Sequence, residues 1–237
     1  RHRTFAWGEP RSARTAPPSA PPFSTPLFGA LRATSATELA WEHAISPSEL
    51  AFFRGHRVGR VPLLPGSCYI ELVRVVVCAV HGLALYSLED VAFENIMFLD
   101  DDDAAFGAPL VRLTLDTASG ALAVASSREP ATWTKHAEMT LRLREGASSA
   151  ARLDVVAAQA RCVDSVDGET FYAGTGNDYR GEFRALSRGW AGADICVSRV
   201  AYARAEEDSV HLRACAFLDA CAHAQLWWQD HRRRPFF

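Results

Sequence analysis

A chain of 237 residues, 49% hydrophobic and with a formal net charge of -3, is large enough to bury a core as one large domain or two small ones. No strong basic excess and no basic stripe with interleaved aromatics is present, which excludes the electrostatic footprint of a nucleic-acid-binding protein; the cluster Arg232-Arg233-Arg234 reads as a solvated helix end. The longest apolar stretch, about Leu72 to Val80, is interrupted by Arg74 and is much shorter than the ~20 residues needed to span a bilayer, so no membrane span is expected.

The chain opens Arg1-His2-Arg3-Thr4, without Met and without the apolar core of a secretion signal, and reads as a segment of something longer. Six cysteines form no C-x-x-C pair and have no His at zinc-site spacing; they are expected as reduced thiols packed as small hydrophobes in a cytoplasmic protein, with no metal site.

Residues 1–23, rich in Pro, Ser and Ala between Gly8 and Pro26, lack the large apolar residues of a core and read as an interdomain linker. At Ser46-Pro47-Ser48-Glu49, an N-cap Ser, a proline at the first helical position and a capping-box Glu predict a short helix to about Arg54. It delivers the chain to His56. After Pro65-Gly66, Ser67 to Gly82 is apolar nearly all round, the pattern of a helix buried by surrounding structure, with Gly82 as its stop.

Strand-like runs follow at Leu88–Phe98, Leu110–Asp116, Ala121–Ser126 and Thr132–Arg144, with a turn at Thr117 to Gly120. In the last run Trp133, Ala137, Met139, Leu141 and Leu143 share one face, opposite His136, Glu138, Thr140 and Arg142. The run Asp100 to Asp103 reads as a solvated loop tip, since adjacent carboxylates without a turn-forming Gly do not make a calcium loop.

Residues 24–150 are therefore expected to form an antiparallel sheet round a central helix, and 151–168 a connector. From 169 to 237 the pattern starts again: a helical turn near Gly168–Ala173, strand-like runs over Phe183–Ala203, then a second helix from about Asp219 to Asp230. Only a few residues follow that helix, so the second sheet is expected to be incomplete at the C-terminus, exposing apolar surface.

His56 stands beside the start of the buried helix, where unpaired N–H groups and a partial positive charge could polarise a carbonyl while the imidazole handles a proton. The stretch GHRVGRVPLLPGSCYIELV resembles the first motif of the dehydratase domain of modular polyketide synthases, H-x-x-x-G-x-x-x-x-P, with Pro65 nine positions after His56. Gly176 to Phe183 resembles that family's G-x-x-Y-G-P-x-F, and Phe217-Leu218-Asp219 to His223 its L-D-x-x-x-Q/H. Weaker echoes lie at Thr4–Trp7 and Pro26–Gly29, so the resemblance covers roughly residues 24–237.

The resemblance implies an α+β double hotdog, two antiparallel sheets each wrapped round a helix. It implies dehydration of a 3-hydroxyacyl thioester to the trans-2-enoyl thioester, with no directly bound cofactor, the substrate riding on the phosphopantetheine of an acyl carrier protein. Carried over residue by residue, His56 is the base and Asp219 the acid, its pKa raised by a dry setting. Gly66 and Pro65 at the helix start, Tyr179 and His223 bind substrate or steady the acid. The implied partners are the carrier protein, neighbouring synthase domains and a second copy of the chain.

Without the resemblance, Asp219 reads as a helix N-cap, His223 as a surface residue and Tyr179 as core. Three departures stand out: Arg60 in place of the motif Gly, with Gly59 displaced by one; Arg180-Gly181 in place of Gly-Pro; and Ala214-Cys215 where the family commonly has His-Pro. They keep open an impaired, structural dehydratase-like domain, and a product-template cyclisation domain shares the fold. A stand-alone hotdog thioesterase fits less well with the Pro-rich linker and the unlike halves.

Overall fold

The computed structural model describes residues 30–33, 35–82, 85–99, 109–129, 132–144, 153–201 and 210–233. The linker at 1–23, the motif echoes at Thr4–Trp7 and Pro26–Gly29, and Asp100–Asp103 lie outside the described residues. The chain divides into two compact units, one of residues 1–46, 69–97 and 105–151, the other of 47–68, 98–104 and 152–237.

The first unit is a six-stranded, wholly antiparallel sheet. Strands β1 (Ala30–Ala33), β2 (Glu38–Ala44), β5 (Leu85–Phe93), β6 (Leu110–Asp116), β7 (Ala121–Glu129) and β8 (Thr132–Arg144) are ordered β1-β2-β6-β7-β8-β5. Period-two patterning builds its core: Val111, Leu113 and Leu115 of β6, Leu122 and Val124 of β7, and Ala137, Met139 and Leu141 of β8 are all buried. Helix α2 (Gly66–His81) supplies Leu72, Val73, Val75, Val76 and Val77, whose burial explains the nearly uniform apolar sequence. Its Tyr69 ring lies beside Phe93 of β5 and His136 of β8.

One strand departs from simple alternation. Val124 pairs with Ala137 but Ala125 pairs with Lys135, so His136 is the extra residue of a β-bulge. The bulge turns His136, expected on the polar face, into the interior, where it is 2% exposed alongside buried Ala137. Residues 30–44, to which the sequence pattern assigns no element, add β1 and β2; β2 is half-polar because Glu42 bonds Arg112 of β6 across the sheet.

The second unit holds α1 (Pro47–Phe53), a small ladder of β3 (Arg57–Val58) with β4 (Val61–Pro62), α3 (Val155–Ala160) and α4 (Gly168–Gly174). A 3-10 turn at Gly181–Arg184 precedes an antiparallel sheet ordered β11 (Cys196–Val200), β10 (Leu186–Ala191), β9 (Asp164–Asp167). The segment expected to be a connector, 151–168, instead carries α3 and the edge strand β9. Asp154 caps α3 by accepting the Ala157 N–H and Asp167 caps α4 by accepting that of Thr170.

Helix α5 (Val210–Arg233) packs on β10, β11 and the 3-10 turn, and Trp228 Nε1 donates to Gly192 O at 2.7 Å. It starts nine residues before the expected Asp219. Ala214-Cys215 stand in place of a His-Pro pair, and without a proline nothing interrupts the ladder there; Cys215 and Ala216 are instead buried. Among the described residues no helix is long and apolar enough to cross a membrane.

Candidate functional site

All six residues singled out from the sequence for site roles belong to the second unit. Helix α1 ends at Phe53, and His56 N–H donates to Phe53 O at 2.8 Å, turning the chain sharply through Gly55. A side chain could not replace that glycine's hydrogen, because a Cβ would stand 2.8 Å from Arg180 O. The turn seats His56 at 5% exposure between the rings of Tyr179 and Phe183, each with its centroid 5.4 Å away.

His56 Nδ1 lies 3.1 Å from Leu63 O, which can only accept, so Nδ1 carries the proton and Nε2 holds the lone pair. That Nε2 is 3.7 Å from Asp219 Oδ1. Burial lowers the His56 pKa from its ordinary value; the Asp219 charge and the Leu63 carbonyl oppose the shift and the nearby His223 adds to it. The ring is therefore a neutral, open-faced base at neutral pH.

The interior position of Asp219 in α5 places His223 one turn on, on the same face. His223 is 1% exposed, not on the surface, and its Nε2 approaches Asp219 Oδ2 at 3.0 Å. That approach lies outside hydrogen-bond alignment, which leaves both buried atoms without a formed bond. Unspent polar atoms of this kind in a buried site mark a place where a ligand or a moving proton is accommodated.

Tyr172 of α4, for which the sequence motifs imply no role, completes the chain. Leu186 N–H donates to its oxygen at 3.0 Å and His223 Nδ1 lies 3.1 Å from it. The hydroxyl proton therefore goes to Nδ1, and the His223 proton sits on Nε2, facing Asp219. Burial pushes the Tyr172 pKa up to about 12, which keeps the hydroxyl protonated for this task. The available signal was the pair Phe171-Tyr172 in a short helix, since a buried Tyr hydroxyl requires a partner.

Tyr179 is buried with its ring 4.6 Å from that of His223, and its hydroxyl receives Asn177 Nδ2 at 3.3 Å. Burial, then the Asp219 charge, raises its pKa. Pro65 is buried immediately before α2, and Gly66 is the first residue of that helix, so its N–H is one of the donors without an intrahelical partner. The structure thus brings His56, Asp219, His223 and Tyr179 together with Tyr172.

The departures also resolve structurally. Gly59, at φ +60°, takes the left-handed position of the β3–β4 turn, so Arg60 sits beside it exposed instead of entering the site. Gly181 has φ +54°, a conformation closed to the proline of the resembled motif.

Each unit thus associates an antiparallel sheet with a helix, and the second also holds the His–Asp pair. Residues 25–129 match the family model described as polyketide synthase dehydratase domain. A highly reducing polyketide synthase, calA, from Penicillium decumbens is 27% identical over 209 residues, 82% of this chain and 7% of that one; the chain thus spans a small fraction of that relative.

Among solved structures, the dehydratase domain from the CurF module of curacin polyketide synthase is similar with a TM-score of 0.71, at 19% identity over 84% of this chain and 74% of that one. The dehydratase domain of a mycocerosic acid synthase-like polyketide synthase gives 0.71 at 23% identity, over 90% and 76%. A trans-AT dehydratase domain from Brevibacillus brevis gives 0.70 at 20% identity, over 88% and 76%. The fold is that of these dehydratase domains, and the comparisons bear out the resemblance read from the motifs.

Proposed function

We propose that this site removes water from a 3-hydroxyacyl thioester presented on the phosphopantetheine arm of an acyl carrier protein, as part of a polyketide synthase. The observation that carries the reading is the buried pair of His56 Nε2 and Asp219 Oδ1, 3.7 Å apart, with opposite tasks available to them. Two of the similar solved structures, described as inactive mutants of the CurK dehydratase, differ by a His-to-Phe and an Asp-to-Asn change. That supports a mechanism needing one residue of each kind.

His56 Nε2 takes the proton from the carbon next to the thioester carbonyl, and the C–H electron pair becomes the new C=C bond. The C–O bond to the 3-hydroxyl breaks, and the leaving oxygen takes the proton of Asp219. His223, with Nε2–H turned towards Oδ2, leaves Oδ1 as the oxygen that gives up its proton. The Gly66 N–H, at the positive end of α2, is suited to hold the thioester carbonyl as charge builds on it. Imidazolium and carboxylate then face each other closely enough to return the proton and reset the pair.

The test is to supply 3-hydroxyacyl carrier protein to the chain within its synthase and follow the enoyl thioester by mass and absorbance. Water loss that vanishes in His56→Ala supports the reading. A synthase that turns over no such thioester, or that turns it over equally after the substitution, ends it.

A further inference from the structure

Position 177 is open in the motif that Gly176 to Phe183 resembles, and this chain fills it with an amide. The Asn177 side chain is bonded at both ends: Oδ1 accepts the Gly59 N–H at 2.8 Å, across 118 positions of sequence, and Nδ2 donates to Tyr179 Oη at 3.3 Å. The partners fix which way the amide faces. A backbone N–H only donates, so the atom opposite Gly59 is the oxygen and the atom opposite Tyr179 is the NH2.

The first bond anchors the turn that follows His56. Gly59 stands between β3 and β4 at φ +60°, three residues after His56. Backbone bonds flank the tie: Asp178 N–H is shared by the carbonyls of Arg57 and Gly59, each at 3.1 Å, and Arg180 N–H donates to Gly55 O at 2.8 Å. Asn177 therefore adds a side-chain bond where the segment carrying His56 and the segment carrying Tyr179 run together.

The second bond decides what the Tyr179 hydroxyl can do. A phenol has one proton to give, and an oxygen that receives a donor keeps that proton free. Among the described residues no acceptor takes it. Tyr179 is buried, and burial foremost, then the Asp219 charge, raises its pKa against the opposing Asn177 bond, so the hydroxyl stays protonated. Its ring centroid lies 5.4 Å from that of His56 and 4.6 Å from that of His223. A donor held in place and unspent thus stands beside the proposed base and the partner of the proposed acid.

We propose that Asn177 is a positioning residue: it ties down the turn after His56 and, by donating to the Tyr179 oxygen, leaves the Tyr179 proton for an oxygen of the bound acyl chain. This rests on the reading of the site as one acting on 3-hydroxyacyl thioesters. The position carries an amide because the task needs an acceptor at one end and a donor at the other.

Asn177→Asp separates the two ends. It keeps the oxygen that accepts Gly59 N–H but replaces the donor with an acceptor, so the Tyr179 hydroxyl gives its proton to the carboxylate and withholds it from substrate. In the chain within its synthase, supplied with 3-hydroxyacyl carrier protein, Asn177→Asp is expected to lower kcat/KM about fivefold, the worth of one hydrogen bond, while hydrogen exchange at the β3–β4 turn keeps its wild-type rate. Asn177→Ala speeds that exchange as well. The double variant Asn177→Asp with Tyr179→Phe is expected to be no slower than Tyr179→Phe alone, because both act through one proton. Turnover by Asn177→Asp equal to wild type, losses that multiply in the double variant, or turn exchange as fast as in Asn177→Ala overturns the proposal. The dehydration reading fails separately, in a wild-type synthase that eliminates no water. There the same four-protein cycle is read calorimetrically on a 3-hydroxyacyl pantetheine amide: an affinity loss of about fivefold that is not repeated in the double variant keeps the role of Asn177, and no loss or a multiplied one overturns it.

Discussion

His56 in the second unit and His136 in the first are alike in most of what marks a catalytic histidine. Each is 5% exposed or less, each has Nδ1 against a backbone carbonyl, Leu63 O at 3.1 Å and Asn95 O at 2.9 Å, and burial lowers both pKa values. They differ at the other nitrogen. His136 Nε2 accepts the Ser126 hydroxyl at 2.7 Å and is fully spent, whereas His56 Nε2 faces Asp219 across 3.7 Å with its lone pair unused. Burial and a depressed pKa are common to both histidines; the unspent nitrogen is what makes His56 the proposed base.

The largest expected effect is at the proposed base. His56→Ala lowers dehydration by roughly 10²–10⁴-fold, the range of a lost general base, measured by enoyl thioester formation. With His56 as the base, kcat/KM is expected to rise with pH and level off at a pKa below 6.5, since a base acts in its neutral form and burial favours that form. His136→Gln leaves that rate and that limb in place. A comparable rate loss in His136→Gln would break the comparison.

Asp219→Asn comes next, because it keeps the shape of the carboxyl but cannot give up the proton; a fall of about 10²–10³-fold is expected. Tyr172→Phe sharpens the picture further. It removes the hydroxyl that sets the His223 tautomer and leaves the Leu186 N–H without its acceptor, so a fall of roughly fivefold in kcat with KM unchanged is expected, as for one orienting hydrogen bond. Loss of KM instead would mean that Tyr172 only packs the site.

Much of this was legible in the sequence where one local signal acts alone. The run Ser67 to Gly82 gave α2 to within a residue at each end, and Thr132 to Arg144 coincides with β8. His56 and Asp219 are legible as a pair through motif order, and the structure places His56 Nε2 3.7 Å from Asp219 Oδ1. What escaped depends on partners distant in the chain. The bulge that buries His136 arises from β8 pairing with β7, β2 carries a Glu whose partner is 70 positions away, and β9 is a strand through its pairing with β10. The role of Tyr172 depends on a histidine 51 positions away, and periodicity carries no trace of that contact.

The smallest expected effect tests the structural histidine. Because the folded-state pKa values of His56 and His136 lie below the ordinary 6.5, the unfolded chain binds more protons in the window between those values and 6.5. Stability therefore rises with pH across that window, is flat above it, and is lowered by the full amount once pH falls below the folded-state values. His136→Gln removes its share of the slope while the His56 share remains. The substitution also costs about 1–3 kcal/mol at pH 7.5, since it disturbs the bonds to Asn95 O and Ser126. Urea unfolding of both proteins at pH 5 and pH 7.5 reads the two quantities together. An unchanged slope would mean that His136 titrates alike in the folded and the unfolded chain, and that its likeness to His56 ends at burial.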